Sequence, residues 1–216
     1  MHEHLLKLHT DCLGGNKGVT FAAAWRALYV AEGAVIVRAA DISASLDANG
    51  AWCGRAPPSI AAGKAGARVL RWELARAQNE PATTTVTDGA LTLAVPVTLP
   101  AAKVLLRCDR VEFPPGGEAL THVHQGPGIR CLITGSIRID SAGVSHTYGP
   151  GDAWFENGPE PVYAAASATE PTAFVRVMIL PVTCQGKSSI RYVRPEDADK
   201  PKTQKYQIFA DELISP

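Results

Sequence analysis

An internal repeat constrains the fold of this chain more than any other feature of its sequence. Gly33 and Gly135 lie 102 positions apart, and other matching positions keep that spacing. The matched pairs are 33–37 with 135–139, 50–53 with 152–155, and Pro57 with Pro159. A gapless register through glycine, tryptophan and proline is not expected by chance. It indicates two copies of one unit, the first centred near 20–80 and the second near 103–182.

In both copies, turn-forming residues separate short runs in the manner of a β protein. The chain contains 19 glycines and 16 prolines, which separate short runs rich in aliphatic residues. The β-type runs are 27–30, 34–37, 68–74, 90–95, 103–108, 129–133, 136–139 and 173–180. Short strands between turn residues predict an all-β barrel or sandwich. Helical periodicity is scarce, and we expect a short helix only within 197–215.

The composition narrows the classes of partner. Of 216 residues, 46% are hydrophobic, which suffices to bury a core. The 21 basic residues balance the 21 acidic ones, so there is no surplus of positive charge that would indicate nucleic-acid binding. No apolar run approaches the roughly 20 residues of a membrane span, and the N-terminus lacks the order of a secretory signal. Five scattered cysteines indicate reduced thiols. We expect a cytoplasmic protein with a small-molecule ligand and no nucleic-acid or membrane partner.

The second copy holds two histidines inside a frame of glycines. The motif residues, in chain order, are Gly116, His122-Val123-His124, Gly135, Gly151-Asp152 and Pro159. Their spacing resembles the two motifs of the cupin superfamily, over roughly 103–182 and, through the repeat, more weakly over 20–80. The resemblance implies RmlC-like jelly-roll units, two in one chain (a bicupin), with few short helices and a homodimeric assembly.

The histidine pair has the spacing of metal ligands. His122 and His124 are two residues apart on a predicted strand, so both side chains project from one face. Two convergent imidazoles supply half of the shell of a divalent transition metal such as Fe, Mn, Ni or Zn. The alternative is a pair that only hydrogen-bonds inside a polar barrel mouth.

The sequence departs from the family pattern at two ligand positions. Gly128 stands where the resemblance implies a glutamate, and Tyr163 stands near the position of a further histidine. Tyr163 is either a phenolate ligand or proton donor, or a pocket wall with a hydrogen-bonded hydroxyl. The candidate oxygen donors that would complete a shell are Glu118, Glu156 and Glu160.

Arg130 is the other candidate. It follows Gly128 by two residues and is therefore predicted to face the same interior. A guanidinium in a partly dry barrel needs an anion and matches a carboxylate bidentately. That anion is either the acid group of a substrate or a structural partner, Glu156 or Asp152. Tyr163 and Arg130 are thus the candidate catalytic residues, beside His122 and His124 as candidate metal ligands.

The first copy lacks this chemistry, because Thr20 and Ala22 occupy the positions of the two histidines. We expect a degenerate unit at 1–90, the site-bearing barrel at 91–185, and a C-terminal arm at 186–216 that packs back on the first unit. In this interpretation the segment 191–193 or 206–209 crosses over to complete the first barrel.

Three functions are compatible with these features. The first is a metal-dependent oxygenase or isomerase acting on a small, carboxylated organic molecule. The second is a non-catalytic cupin that binds a small ligand or a metal at an incomplete site. The third is a structural protein in which both barrels are inert.

Overall fold

The computed structural model describes residues 4–76 and 89–216 and divides the chain into two compact units. Unit 1 ends at Leu99 and also includes Pro216, and unit 2 runs from Pro100 to Ser215. Both consist of antiparallel strands, which confirms the predicted all-β class. In the described ranges no helix is long and apolar enough to cross a membrane.

Unit 1 is a single seven-stranded sheet with the order β4-β3-β6-β1-β7, in which β2 also pairs with β6 and β5 with β3. Its strands are β1 (His4–Leu13), β2 (Gly18–Thr20), β3 (Trp25–Ala39), β4 (Ile42–Asp47), β5 (Ala51–Gly54), β6 (Ser59–Arg76) and β7 (Ala90–Val97). The long strands β3 and β6 pair along most of their length, with register shifts near Val30 and Gly33.

Unit 1 buries a charged cluster beside its apolar core. The core residues are Val19, Phe21, Leu28, Val30, Val35, Val37, Ile60 and Val69. Arg71 contacts Asp11 at 2.6 Å and Glu73 at 2.8 Å, and Glu73 also accepts a 2.6 Å hydrogen bond from Arg26. All four side chains are buried. Two positive and two negative groups therefore compensate one another inside the unit.

Unit 2 has the two-sheet layout of a jelly roll. One five-stranded sheet has the order β13-β10-β15-β8-β17 and the other β12-β11-β14-β9-β16. The strands are β8 (Val104–Phe113), β9 (Glu118–His124), β10 (Gly128–Thr134), β11 (Ile137–Ser141), β12 (Val144–Tyr148), β13 (Ala153–Glu156), β14 (Val162–Ala166), β15 (Thr172–Leu180), β16 (Ile190–Tyr192) and β17 (Lys205–Ile214). Short 3₁₀ helices cover Val182–Cys184 and Pro195–Asp197.

The core of unit 2 lies between its two sheets. Its buried residues come from both of them: Val111, Phe113, Ala119, Leu132, Ile137, Ile139, Trp154, Val162, Ala164 and Phe174. Along β11 and β14 these residues alternate with more exposed ones, as expected of strands with one face on a core. Side chains on the inner faces at the end of this core form the site described below.

The C-terminal segment differs from the prediction. Strand β16 pairs with β9, and β17 pairs with β8, so 190–214 extends both sheets of unit 2 instead of crossing to unit 1. The helix expected within 197–215 is also wrong, because β17 occupies most of that segment. The physical reason is the edge of β8: its backbone groups need partners, and a ten-residue strand supplies them.

The repeat has a structural counterpart in two glycines. Gly33 and Gly135, which match in the repeat, have φ angles of 74° and 73°. A Cβ at Gly135 would lie 2.6 Å from the Pro171 carbonyl oxygen, and one at Gly33 would collide with the carbonyl oxygen of Gly66. Both positions therefore require glycine for its conformation and for the close approach of a neighbouring strand.

We expect Gly33→Ala and Gly135→Ala each to destabilise their unit by about 2–4 kcal/mol, because strain at positive φ adds to a backbone collision. Gly143→Ala is the matched control: Gly143 has φ 77° but no heavy atom within 4 Å of an added Cβ. It should cost only about 1 kcal/mol. Urea denaturation measures the free energy of unfolding, and hydrogen exchange shows which unit has lost stability. Equal losses of stability in all three variants would contradict the packing argument.

Candidate functional site

Strand β9 places both histidines of the motif in the interior of unit 2. His122 and His124 are each 4% exposed, whereas Val123 between them is turned away. Neighbouring strands hold β9 on both sides, with Val162 of β14 and Tyr192 of β16 opposite His122, and Ile190 of β16 opposite His124. The alternation predicted from the sequence therefore brings the two imidazoles together.

The geometry of the pair turns the two Nε2 atoms toward each other. They lie 3.2 Å apart, with the rings nearly perpendicular at 87°. His122 Nδ1 lies 2.7 Å from the carbonyl oxygen of Leu120. Since a carbonyl oxygen can only accept, this contact assigns the proton to Nδ1 and leaves a lone pair on Nε2 of His122. A backbone carbonyl in this position fixes the ring as it does for many metal-bound histidines.

Glu156 of β13 is the carboxylate next to the pair. Its Oε2 lies 3.2 Å from His124 Nε2 and 2.7 Å from Arg130 Nη2, and its Oε1 accepts a 2.8 Å hydrogen bond from Trp154 Nε1. The contact with Arg130 has ion-pair distance without the angle of a hydrogen bond. The carboxylate therefore joins the guanidinium to the histidines.

Arg130 occupies the space next to Gly128. It is fully buried on β10, and its Nη1 donates a 2.6 Å hydrogen bond to the Gly128 carbonyl oxygen. A Cβ on Gly128 would lie 3.0 Å from that Nη1 and 2.6 Å from the Val177 carbonyl oxygen. The absence of a side chain at 128 is thus what allows the guanidinium to fold back to this place.

Burial sets the charges of the site. It lowers the pKa of His122 below its ordinary value and the pKa of His124 to about 3. It lowers the pKa of Arg130 to about 10, an effect that Glu156 opposes. For Glu156 burial acts to raise the pKa, but Arg130 and His124 hold it well below its usual range. At neutral pH the site therefore contains two neutral imidazoles beside the buried ion pair of Arg130 and Glu156.

Tyr163 does not join them, and its assignment to the site is corrected by the structure. On β14 the side chains of Val162 and Ala164 point into the core, and Tyr163 between them points away. Its hydroxyl donates a 2.5 Å hydrogen bond to Glu118 on the outer side of the sheet. The two-residue period of a strand makes this outcome obligatory once Val162 faces inward.

The three candidate oxygen donors are now distinguished. Glu118 is exposed and bound to Tyr163, and Glu160 is exposed, so only Glu156 reaches the histidines. Asp152, the other suggested partner of Arg130, instead accepts a hydrogen bond from the Gly149 amide. Of the predicted residues, the structure brings together His122, His124, Arg130 and, from the three candidate glutamates, Glu156.

Other residues around the site were not foreseen. Ile190, Tyr206 and Arg176 line the space at the histidines, and the Tyr192 ring lies 6.5 Å from that of His122. The two tyrosines and Ile190 come from the C-terminal strands, whose pairing carries no local sequence signal. That space has a volume of about 20 Å³, enough for one water molecule or one ion.

The histidine pair fits a metal ion, but the wider donor set is incomplete. Two nitrogens that bind one ion at about 2.1 Å lie about 3.0–3.4 Å apart when the nitrogen–metal–nitrogen angle is between the square-planar and the tetrahedral value. The observed distance of 3.2 Å between the two Nε2 atoms falls within this range. Across residues 4–76 and 89–216, no group of three or more His, Cys, Asp or Glu side chains has the placement of a complete metal site. The protein thus offers two positioned nitrogens, with one carboxylate beside them that is engaged by Arg130.

We expect Arg130→Met to destabilise unit 2 by about 3–5 kcal/mol, because it leaves Glu156 buried without its partner. Glu156→Gln should cost a similar amount, whereas the double variant should cost clearly less than the sum of the two. Urea denaturation with hydrogen exchange in β10 measures these effects.

The matched control for that cycle is the exposed pair Arg68–Glu32, whose nitrogen and oxygen lie 2.7 Å apart. Arg68→Met should cost no more than about 1 kcal/mol, since exposed ion pairs contribute little. Additive losses in the Arg130–Glu156 cycle would contradict the coupling inferred here.

Comparison with known proteins places the fold. No protein-family model matches the chain, and no curated protein matches it either. Among solved structures, AerE from Microcystis aeruginosa has a TM-score of 0.59 at 11% identity, over 83% of this chain and 93% of that one. Lactobacillus farciminis oxalate decarboxylase in a formate complex has a TM-score of 0.64 at 14% identity, over 93% and 82%.

A second oxalate decarboxylase, in a study of its substrate binding mode, likewise has a TM-score of 0.64 at 13% identity, over 91% of this chain and 73% of that one. A structure of Bacillus subtilis oxalate decarboxylase, described with Mn(II) centres, has a TM-score of 0.62. At these identities the likeness shows the fold alone. Together with the two-sheet topology of unit 2, it gives the chain a cupin-type, all-β jelly-roll fold.

Proposed function

We propose that unit 2 is a small-molecule cupin that binds one divalent transition-metal ion at His122 and His124. The observation that supports it is the 3.2 Å separation of the two Nε2 atoms, together with the hydrogen bond that orients His122. Burial keeps both rings neutral, which is the protonation state a ligand needs. Glu156 is the nearest oxygen donor and the third ligand in this proposal.

The charge balance of the site favours an anionic substrate. Glu156 is compensated by Arg130 at 2.7 Å, and the histidines are neutral. A divalent cation would therefore bring a net positive charge into a buried space, and an acid bound next to that space would reduce the net charge. This is the basis for proposing a small organic carboxylate as the molecule on which the protein acts.

When bound, the metal would supply Lewis-acid or O₂-activating chemistry of the kind used by oxygenases and isomerases. The chain's own residues would do the positioning. The Leu120 carbonyl holds the His122 ring, and the Trp154 indole and Arg130 guanidinium hold the two oxygens of Glu156. The apolar inner faces of both sheets keep water away from these groups. The donor set of two nitrogens and one oxygen suits Fe, Mn, Ni and Zn alike.

A second candidate is a cupin that binds a ligand without catalysis. It is favoured by the two departures from the family pattern, since Gly128 offers no side chain and Tyr163 faces away from the site. Unit 1 fits the same proposal as a degenerate copy. The Thr20 and Ala22 positions lack imidazoles, and the buried Phe21 between them belongs to the apolar core.

Elemental analysis of protein purified without a histidine tag tests the metal. We expect about one equivalent of transition metal after reconstitution with Fe(II), Mn(II), Ni(II) or Zn(II), and its loss in His122→Ala and in His124→Ala. Glu156→Gln should weaken the binding at least about tenfold. His146→Ala, which removes an exposed histidine of β12, and Tyr163→Phe are the controls that should retain full metal. Protein that stays metal-free after reconstitution would overturn the proposal.

A further inference from the structure

A cleft opens inside unit 2 next to the histidine site. It has a volume of about 280 Å³, and the residues that define it here are Arg107, Asp109, Arg176, Lys187, Tyr206 and Ile208. We refer to it as the basic cleft. Its size is close to the lower end of the range for small-molecule sites, about 300–1,000 Å³.

The basic cleft borders the histidines directly. Arg176, Ile190 and Tyr206 line both the cleft and the small space of about 20 Å³ at the histidine pair. Ile190 is paired with His124 across β16 and β9. A molecule in the basic cleft would therefore have one end beside the proposed metal ligands. The smaller space at the histidines has no room for an organic molecule of its own.

Most charges of the cleft are already compensated. Arg176 forms two hydrogen bonds with Asp109, at 2.6 and 3.1 Å. Arg107 binds Asp211 at 2.7 Å, and its other two nitrogens donate to the carbonyl oxygens of Lys187 and Cys184. Among the described residues, Lys187 has no ion pair and is exposed. One positive charge of the cleft thus remains for an anion.

The remaining wall is apolar and open. Ile208 is 50% exposed and Tyr206 44% exposed, although both lie on the strand that pairs with the buried β8. Ser189, which is buried, has only a 3.9 Å contact from its hydroxyl to the Met178 sulfur, a weak acceptor. An organic ligand would cover the two large side chains and offer that hydroxyl a better partner.

We infer that the basic cleft binds a small monocarboxylic acid with an apolar body. Its carboxylate lies beside Lys187, its body packs on Ile208 and Tyr206, and its far end is directed past Ile190 toward His122 and His124. This inference rests on the proposed function for its catalytic purpose. It adds the class of the substrate and the residues that select that substrate.

The other cleft next to the site suits an acid poorly. It has a volume of about 220 Å³, and its lining includes Glu156, Glu160 and Tyr148. Arg130 compensates Glu156, but the exposed Glu160 would repel an anion. Lys187 has no equivalent among the lining residues of this cleft. The difference in charge, more than the difference in volume, assigns the acid to the basic cleft.

Titration calorimetry with butanoate, hexanoate, octanoate and 3-phenylpropanoate tests the inference on the full chain. We expect at least one of them to bind with a Kd below about 1 mM, and its uncharged amide to bind at least about tenfold more weakly. Lys187→Met should cause a similar loss, and Ile208→Asp should abolish binding. Lys205→Met, which removes another exposed lysine of the same unit outside the cleft, is the matched control and should bind normally.

Binding of none of the four acids, or equal binding by the Lys187→Met variant, would overturn the inference. If the Tyr148→Ala variant lost binding and the Lys187→Met variant bound normally, the acid would belong to the cleft lined by Tyr148. That result would also overturn the inference. Because Lys187 and Ile208 are exposed, these variants are expected to fold, and thermal unfolding checks this.

Repeating the titration with metal-free His122→Ala protein separates this inference from the metal proposal. The acid should still bind there, because its main contacts do not involve the histidines. Acid binding without any metal binding would overturn the metal proposal alone, and metal binding without acid binding would overturn the inference alone.

Discussion

The buried ion pair between Arg130 and Glu156 is the interaction on which the site of unit 2 depends. The two residues come from adjacent strands, β10 and β13, and their 2.7 Å contact directs the carboxylate toward His124. A lone buried charge would be strongly destabilising, so each group is tolerated only because the other is present. Gly128 is part of the same arrangement, since any side chain there would meet the guanidinium or the backbone of β15.

The two units handle buried charge in different ways. Unit 1 encloses Asp11, Arg26, Arg71 and Glu73 as a compact neutral cluster. Unit 2 places its pair beside two neutral imidazoles and between two clefts, so its polar groups adjoin space that a ligand can occupy. The four charges of the unit 1 cluster compensate one another, whereas the Arg130–Glu156 pair of unit 2 lies next to cavities.

Prediction from the sequence succeeded where the signal was local. The two-residue spacing of His122 and His124 and the position of Arg130 follow from strand alternation, and the structure brings these residues together. Tyr163 faces away from the site, because a one-residue difference on a strand exchanges its inner and outer faces. The choice of Glu156 among three glutamates depended on which strand faces β10, and the path of the C-terminal arm depended on the edge of β8.

The sequence by itself determined the β class, the repeat with its paired glycines, and the interior direction of the histidines, because these depend on periodicity and on backbone conformation within short segments. The tertiary structure alone decided which carboxylate meets Arg130, that Tyr163 faces outward, and that β16 and β17 extend the sheets of unit 2. These depend on pairings between strands far apart in the chain, and such pairings are selected by the packing of whole sheets and by the need to compensate buried charge.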